Sequence, residues 1–294
     1  MTIKTMFLDS FPKHLEEKLP ELGAFKGSQS LSGGDINQAL KLEFTKHSVF
    51  VKHNLGTALP QMFEKEAAAL GVLAEKSPFT IPAPIATGQL GNQSYLVLEY
   101  LEARTKSATF WRDFGSWLAE MHRAKQNYFG FSTWNYMGKL RQENTETENW
   151  SQFFAAQRIE PQVRLARDNG YFNRNFSVQI DRLLSRLENL VPQEAPALVH
   201  GDLWSGNYLV GPQGEPALID PALHYGHREA DLAMMHLFGG FPIEVFEAYH
   251  QSFPLENAWR DRIQLHNLYP VLVHVNLFGG SYVQQAESIV RRYL

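Results

Sequence analysis

The stretch Leu198-Val-His-Gly-Asp-Leu-Trp-Ser-Gly-Asn207 sets an aspartate, Asp202, five residues ahead of an amide, Asn207, between two short apolar runs. Residues 208–219 then lead to a further acid, Asp220. A carboxylate able to take or orient a hydroxyl proton suits Asp202 to the role of general base. Asn207 and Asp220 offer hard oxygens of the kind that hold magnesium. Together they form the working set for phosphoryl transfer from ATP. A lone Asp or Asn here is an ordinary turn or cap residue; the order and spacing of the set argue for chemistry instead.

Such chemistry needs a cation on the phosphates. Lys52 ends the strand Val49-Phe-Val-Lys, where alternation puts Val49 and Val51 on one face and Phe50 and Lys52 on the other. The following helix offers Glu64 and Glu66 as partners. Phe63, Ala67, Leu70 and Ala74 form its apolar stripe, Glu66 flanks that stripe and Glu64 points to solvent, so Glu66 is the expected partner. Gly33-Gly34, within Leu31-Ser-Gly-Gly-Asp-Ile-Asn37, lets backbone amides approach phosphate oxygens, although it is not a Walker A loop. The backbone of Glu99 and Leu101 is placed to bond an adenine edge. His200 is expected to support the loop by hydrogen bonds, and Asp231 to accept backbone N–H groups of that loop. Arg228 is either the partner of Asp231 or a substrate contact.

The elements that must position these residues fall into two groups. Residues 11–22 read as a short amphipathic helix. Strands follow at 29–32, 37–44 and 48–52, then a helix over 60–76 and a hairpin whose second strand is Gln93–Tyr100. After Leu101 helical periodicity dominates 109–125, 148–168 and 175–190. A hairpin around 198–219 interrupts it, and helices resume at 229–238, 243–252, 256–267 and 280–293. The expectation is an α+β chain of two lobes: a small β-rich lobe over 1–101 that holds nucleotide, and a larger mainly helical lobe over 102–294 that carries catalysis and acceptor.

The chain has 294 residues, 44% of them apolar, with a net charge of −4. That balance argues against nucleic acid or an acidic membrane as partner. There are no cysteines, which excludes disulfides, thiolate catalysis and Cys-ligated zinc. No signal-peptide core or membrane-length apolar run is present, and the cytoplasm is the expected compartment.

Ser32-Gly-Gly-Asp-Ile-Asn, Val51-Lys52, Glu66-Ala, His200-Gly-Asp-Leu-Trp-Ser-Gly-Asn207, Ile219-Asp-Pro and Arg228-Glu-Ala-Asp-Leu-Ala resemble the fructosamine-3-kinase (ketosamine kinase) family. That family lies in the aminoglycoside phosphotransferase and choline kinase group of protein-kinase-like folds. The resemblance runs from about residue 20 to the C-terminus. Trp204 inside the His-Gly-Asp motif is its most specific mark. It implies a bilobal protein-kinase-like fold and ATP- and magnesium-dependent phosphorylation of the sugar 3-hydroxyl of a ketosamine, followed by decay of the product and release of the amine. The acceptor is then a small-molecule ketosamine or a glycated amine, protein lysine included. Many family members carry cysteine where this chain has Asp35, so thiol control at that loop is not available.

Gly201 replaces the arginine that reads a phosphorylated activation loop in protein kinases, and Pro221 follows the metal aspartate. Only ten residues separate Asp220 from Asp231, too few for a long activation segment. Residues 131–170, read as helical, and the aromatics Trp259, Tyr269, Phe278 and Tyr282 are the expected acceptor cleft. The same fold also serves aminoglycoside or choline-like acceptors, which Trp204 disfavours. A catalytically silent nucleotide-binding module is disfavoured by the presence of Lys52, Glu66, Asp202, Asn207 and Asp220 together.

Overall fold

The computed structural model describes residues 3–31 and 37–294, and side chains from residue 10 onward. The N-terminal part contains α1 (Ile3–Lys18), a 3-10 turn at Pro20–Leu22, β1 (Phe25–Leu31), β2 (Gln38–Phe44), β3 (Ser48–Leu55), α2 (Met62–Lys76), β4 (Pro84–Leu90) and β5 (Gln93–Glu99). The first helix spans Ile3–Lys18 rather than 11–22. It ends where Leu19, the residue before Pro20, leaves helical geometry at φ −132° and ψ 66°, as the clash with a following proline ring favours. The five strands form an antiparallel sheet in the order β1-β2-β3-β5-β4.

Central β3 shows why Lys52 faces where it does. Val49 and Val51 pack with Phe11 and Leu15 of α1 on one side of the sheet. Phe50 packs with Met62, Phe63 and Leu70 of α2 on the other. Lys52 shares the Phe50 face and so points toward α2.

The C-terminal part begins with α3 (Phe110–Met121), β6 (Asn135–Met137) and β7 (Leu140–Gln142). A continuous helical run follows: α4 (Trp150–Phe153), a π turn at Phe154–Ile159 and α5 (Glu160–Asp168). Next come α6 (Arg174–Leu184), α7 (Leu187–Leu190), β8 (Ala197–Val199), β9 (Tyr208–Val210), β10 (Pro216–Leu218) and β11 (His224–Gly226). The chain ends with α8 (Glu229–Leu237), α9 (Ile243–Ser252), α10 (Trp259–His266), α11 (Leu268–Phe278) and α12 (Ser281–Arg292).

Three sequence expectations change here. Residues 131–149 hold the β6–β7 hairpin rather than a helix. The segment 198–219 is not one hairpin: β9 pairs with β10, while β8 pairs with β11 beyond Asp220. Helix α11 had no amphipathic period to reveal it, because Leu-Tyr-Pro-Val-Leu-Val-His-Val is apolar all round and packs inside the bundle. One hydrophobic core joins the two parts: Ala69, Leu73 and Phe79 pack with Phe110, Phe114 and Leu118. Among the described residues no helix is long and apolar enough to cross a membrane.

Candidate active site

Strand pairing brings the acids together. Tyr208 of β9 stands opposite Leu218 of β10, and the next pair outward is Asn207 with Ile219, whose N–H donates to the Asn207 carbonyl at 3.1 Å. Asp220 therefore emerges beside Asn207. Its backbone has φ +58°, the left-handed region rarely used by non-glycine residues. The Asn207 amide donates to the Asp202 carbonyl at 2.8 Å and to its carboxylate at 3.0 Å.

The loop carrying Asp202 is held from below. Buried Asp231 accepts the N–H groups of His200 and Gly201 at 2.7 and 2.9 Å, and lies 3.2 Å from the His122 ring. Burial alone would raise the Asp231 carboxyl, but its hydrogen bonds with His122 and the Gly201 N–H hold it below the usual range. Burial keeps His200 neutral. Its Nε2 donates to the Ile219 carbonyl at 2.9 Å, which leaves Nδ1 to accept the Asp202 N–H at 3.3 Å. Gly201 has φ +83°, and a Cβ there would sit 2.2 Å from the Ala222 carbonyl oxygen. No larger residue fits between the two strands' loops at that point.

Lys52 completes the set from the sheet. Its ammonium meets Glu66 at 2.7 Å and makes a short contact with Asp220. Glu64 is exposed on the far side of α2. Burial opposes the Lys52 charge, but the two carboxylates outweigh it and hold the ammonium protonated. One cation cannot neutralise two acids. Burial, reinforced by Asp220, therefore pushes Glu66 up despite its lysine. Asp202 is pushed up to about 7, chiefly by burial and further by Asp220 and Asp231, against the Asn207 hydrogen bond.

Lys52, Glu66, Asp202, Trp204, Asn207 and Asp220 all line one cavity of about 680 Å³. Trp204 is 38% exposed at its rim. The ring lies over Gly206, where a Cβ would meet it at 2.2 Å. Carboxylates, an amide and an ammonium thus share the lining of one cavity.

The chain matches the fructosamine kinase family over residues 8–294. It belongs to that family. It is 41% identical over 267 residues to a probable ketoamine kinase of Synechocystis, covering 90% of each chain. A probable ketoamine kinase of Enterococcus faecium is 36% identical over 264 residues, covering 89% of this chain and 93% of that one. Among solved structures, a Thermobifida fusca protein described as a fructosamine-3-kinase superposes with a TM-score of 0.83 at 33% identity, covering 95% of this chain and 98% of that one. Aminoglycoside phosphotransferase APH(4)-Ia, in a ternary complex with AMP-PNP and hygromycin B, superposes at TM-score 0.63 and 17% identity over 96% of this chain and 98% of its own, a likeness of fold. The protein is thus an α+β kinase with a five-stranded antiparallel sheet and a mainly helical C-terminal part.

Other expected site residues fall differently in this kinase. Gly33, Gly34 and Asp35 lie outside the described residues. Glu99 closes β5, with its N–H on the Ala83 carbonyl at 2.9 Å, and Leu101 is buried just beyond; neither lines the cavity. Arg228 neither pairs with Asp231 nor reaches the cavity. Its guanidinium holds Glu194 at 2.6 and 2.8 Å, caps the Phe253 and Pro254 carbonyls and stacks on Phe253. The start of α8 turns Asp231 inward toward the loop and Arg228 outward toward α9.

The cleft is also redrawn. Phe278 and Tyr282 line it, while Trp259 and Tyr269 are core. From 131–170 only Asn135 to Lys139 of the hairpin reach it. Lys65, Phe238, His274 and Leu277 line it without any sequence signal beyond their types.

The donor set suits a hard divalent ion. Asp220 and Asn207 sit at neighbouring strand ends with hard oxygens on their side chains, and both line the cavity with Glu66 and Asp202. A second group of ligand-type atoms, on His227, Glu229 and His266, does not serve this purpose. There Arg262 already holds both Glu229 oxygens, at 2.8 and 2.5 Å.

Proposed function

We propose that this kinase transfers the γ-phosphoryl group of ATP, with magnesium, to the sugar 3-hydroxyl of a ketosamine. The 3-phosphate then decomposes and frees the amine, so the biological outcome is deglycation. Asp202 accepts or orients the proton of the attacking hydroxyl. A group titrating near neutrality is well matched to that task. Asn207 and Asp220 would hold Mg2+, which supplies charge neutralisation on the transferring phosphate. Lys52, fixed by Glu66, binds the phosphates in exchange for its contact with Asp220. Gly33 and Gly34 cover the phosphates with backbone amides, and the Glu99–Leu101 backbone meets adenine. Residues 1–101 act as the nucleotide lobe and 102–294 as the acceptor lobe. His200 and Asp231 hold the catalytic loop, and Trp204 gives the sugar an apolar face.

The observation that carries this reading is the convergence of Asp202, Asn207, Asp220 and Lys52 on one cavity. The family relation supports the ketosamine as acceptor. The cavity volume of about 680 Å³ and the short span between Asp220 and Asp231 favour a free ketosamine or an exposed glycated lysine over a docked polypeptide. An ATP-dependent panel of ribulosamines, erythrulosamines, fructosamines, aminoglycosides and choline tests it, with phosphorus NMR to locate the modified hydroxyl. Ketosamine-dependent ADP release with a 3-phosphate signal is expected. Turnover on an aminoglycoside or choline alone, or nucleotide binding without turnover on any acceptor, would overturn it.

A further inference from the structure

Phosphoryl transfer on this plan needs the helix that carries Glu66 to sit where its carboxylate meets Lys52. Protein kinases control that position partly through a long activation segment, and this chain has only ten residues between Asp220 and Asp231. The C-terminal half of α2 is fixed by Ala69 and Leu73 in the shared core. Its N-terminal end, which bears Glu66, meets the β6–β7 hairpin.

The contacts there are specific. Lys65, next to Glu66, donates to the Thr133 hydroxyl and lies 4.7 Å from the Trp134 ring centroid. Arg141 of β7 stacks on the same indole at 4.3 Å. Tyr136, edge-on to Trp134, donates its hydroxyl to the Pro60 carbonyl at 3.1 Å, just before α2. The other side of the hairpin is tied to the segment following Asp220. Asn135 donates to the Leu223 carbonyl at 2.8 Å, and Gln142 to the Ala222 carbonyl at 3.3 Å. Behind them the buried Arg158, on the π turn, donates to Asn144 at 2.7 Å and to the Glu143 carbonyl at 2.6 Å. The bridge is thus anchored in the core at one end and rests on α2 at the other.

We infer that the β6–β7 hairpin stands in for an activation segment: Trp134, through Lys65, holds α2 where Glu66 meets Lys52, while Asn135 and Gln142 hold the segment after Asp220. Trp134 is a positioning residue, since it lines neither the cavity nor the acid cluster. The inference rests on the proposed nucleotide role of Lys52 and Glu66, but its structural part does not.

The test compares wild type with Trp134→Ala, Trp134→Phe, Lys65→Met and the Trp134→Ala/Lys65→Met double variant. Amide hydrogen exchange over 62–67 reads helix position without any ligand. Titration with Mg-AMP-PNP reads the nucleotide site, and turnover reads kcat against acceptor KM. Loss of the ring that Lys65 and Arg141 both face should speed exchange and weaken AMP-PNP by about ten-fold in Trp134→Ala. Acceptor KM should stay within about two-fold, and Trp134→Phe should recover most of the loss, because an aromatic face remains. The losses in the double variant should fall short of the sum of the two single losses, because both single variants remove the same Lys65–Trp134 contact. Unchanged exchange in α2 with Trp134→Ala, or additive losses in the double variant, overturns the inference. A wild type that binds AMP-PNP yet phosphorylates no ketosamine would sink the proposed acceptor, while faster α2 exchange in Trp134→Ala would still uphold the hairpin's role.

Discussion

Replacing Asp202 by asparagine separates the catalytic and energetic sides of this residue. The change keeps size and leaves an oxygen to accept the Asn207 amide, which donates to the carboxylate at 3.0 Å. It removes a carboxyl that burial and nearby acids push from 3.8 up to about 7. The sign follows from proton binding. Between these two values the folded state keeps a proton that the unfolded chain has released. Stability from this group is therefore present at acid pH and is lost as pH rises toward 7. At 1.36 kcal/mol per pH unit the whole span is worth about 4 kcal/mol. The cavity keeps one side of the carboxylate hydrated, which reduces this to roughly 2 kcal/mol. Between pH 5 and 8 the variant should gain about 1–2 kcal/mol on wild type, or ~2–3 °C in Tm for a chain of 294 residues. Thermal unfolding at a series of pH values, in chelator and without nucleotide, measures this. Turnover with Mg-ATP should meanwhile fall by about 10²–10⁴. A Tm difference that does not change with pH, or a variant that keeps more than a tenth of wild-type turnover, would refute the reasoning.

Lys52→Met removes the cation between Glu66 and Asp220, and kcat/KM for ATP should fall by about 10²-fold or more in steady-state assays. Arg228→Ala leaves Glu194 without its partner and should cost about 3–5 kcal/mol in chemical denaturation. Turnover per folded molecule should be unchanged, because Arg228 is remote from the cavity. Gly201→Ala forces a Cβ to within 2.2 Å of the Ala222 carbonyl at φ +83°. Stability should drop by more than about 1 kcal/mol and kcat at least about ten-fold, read by unfolding and by turnover.

Much of the site was legible in sequence because its residues are local or obey simple periodicity. Asp202 and Asn207 share one loop. The choice of Glu66 over Glu64 followed from helical angle, and the direction of Lys52 from strand alternation; the structure joins Lys52 to Glu66 at 2.7 Å. Arg228 was misread because neighbours on the first turn of a helix point to different surroundings. Spacing says which residues are near in chain, not which way the helix is turned. The hairpin at 135–142 was missed because its strands are three residues each, too short for a period. Helix α11 was missed because its first six residues, Leu268 to Val273, are buried on every face, which erases amphipathicity.

The sequence by itself determined the chemistry: the types and order of His200, Asp202, Asn207 and Asp220, the lysine on a strand, and the absence of any thiol. It also determined the division into a β-rich first third and a helical remainder, since strand and helix periods are local properties of side-chain order. Tertiary structure alone decided that β8 pairs beyond Asp220 and that Asp231 finds His122, 109 residues away. It alone decided how Lys65, the hairpin and the C-terminal helices close the cavity. Those contacts depend on packing between elements distant in the chain, and no local pattern encodes which distant surfaces will exclude water from each other.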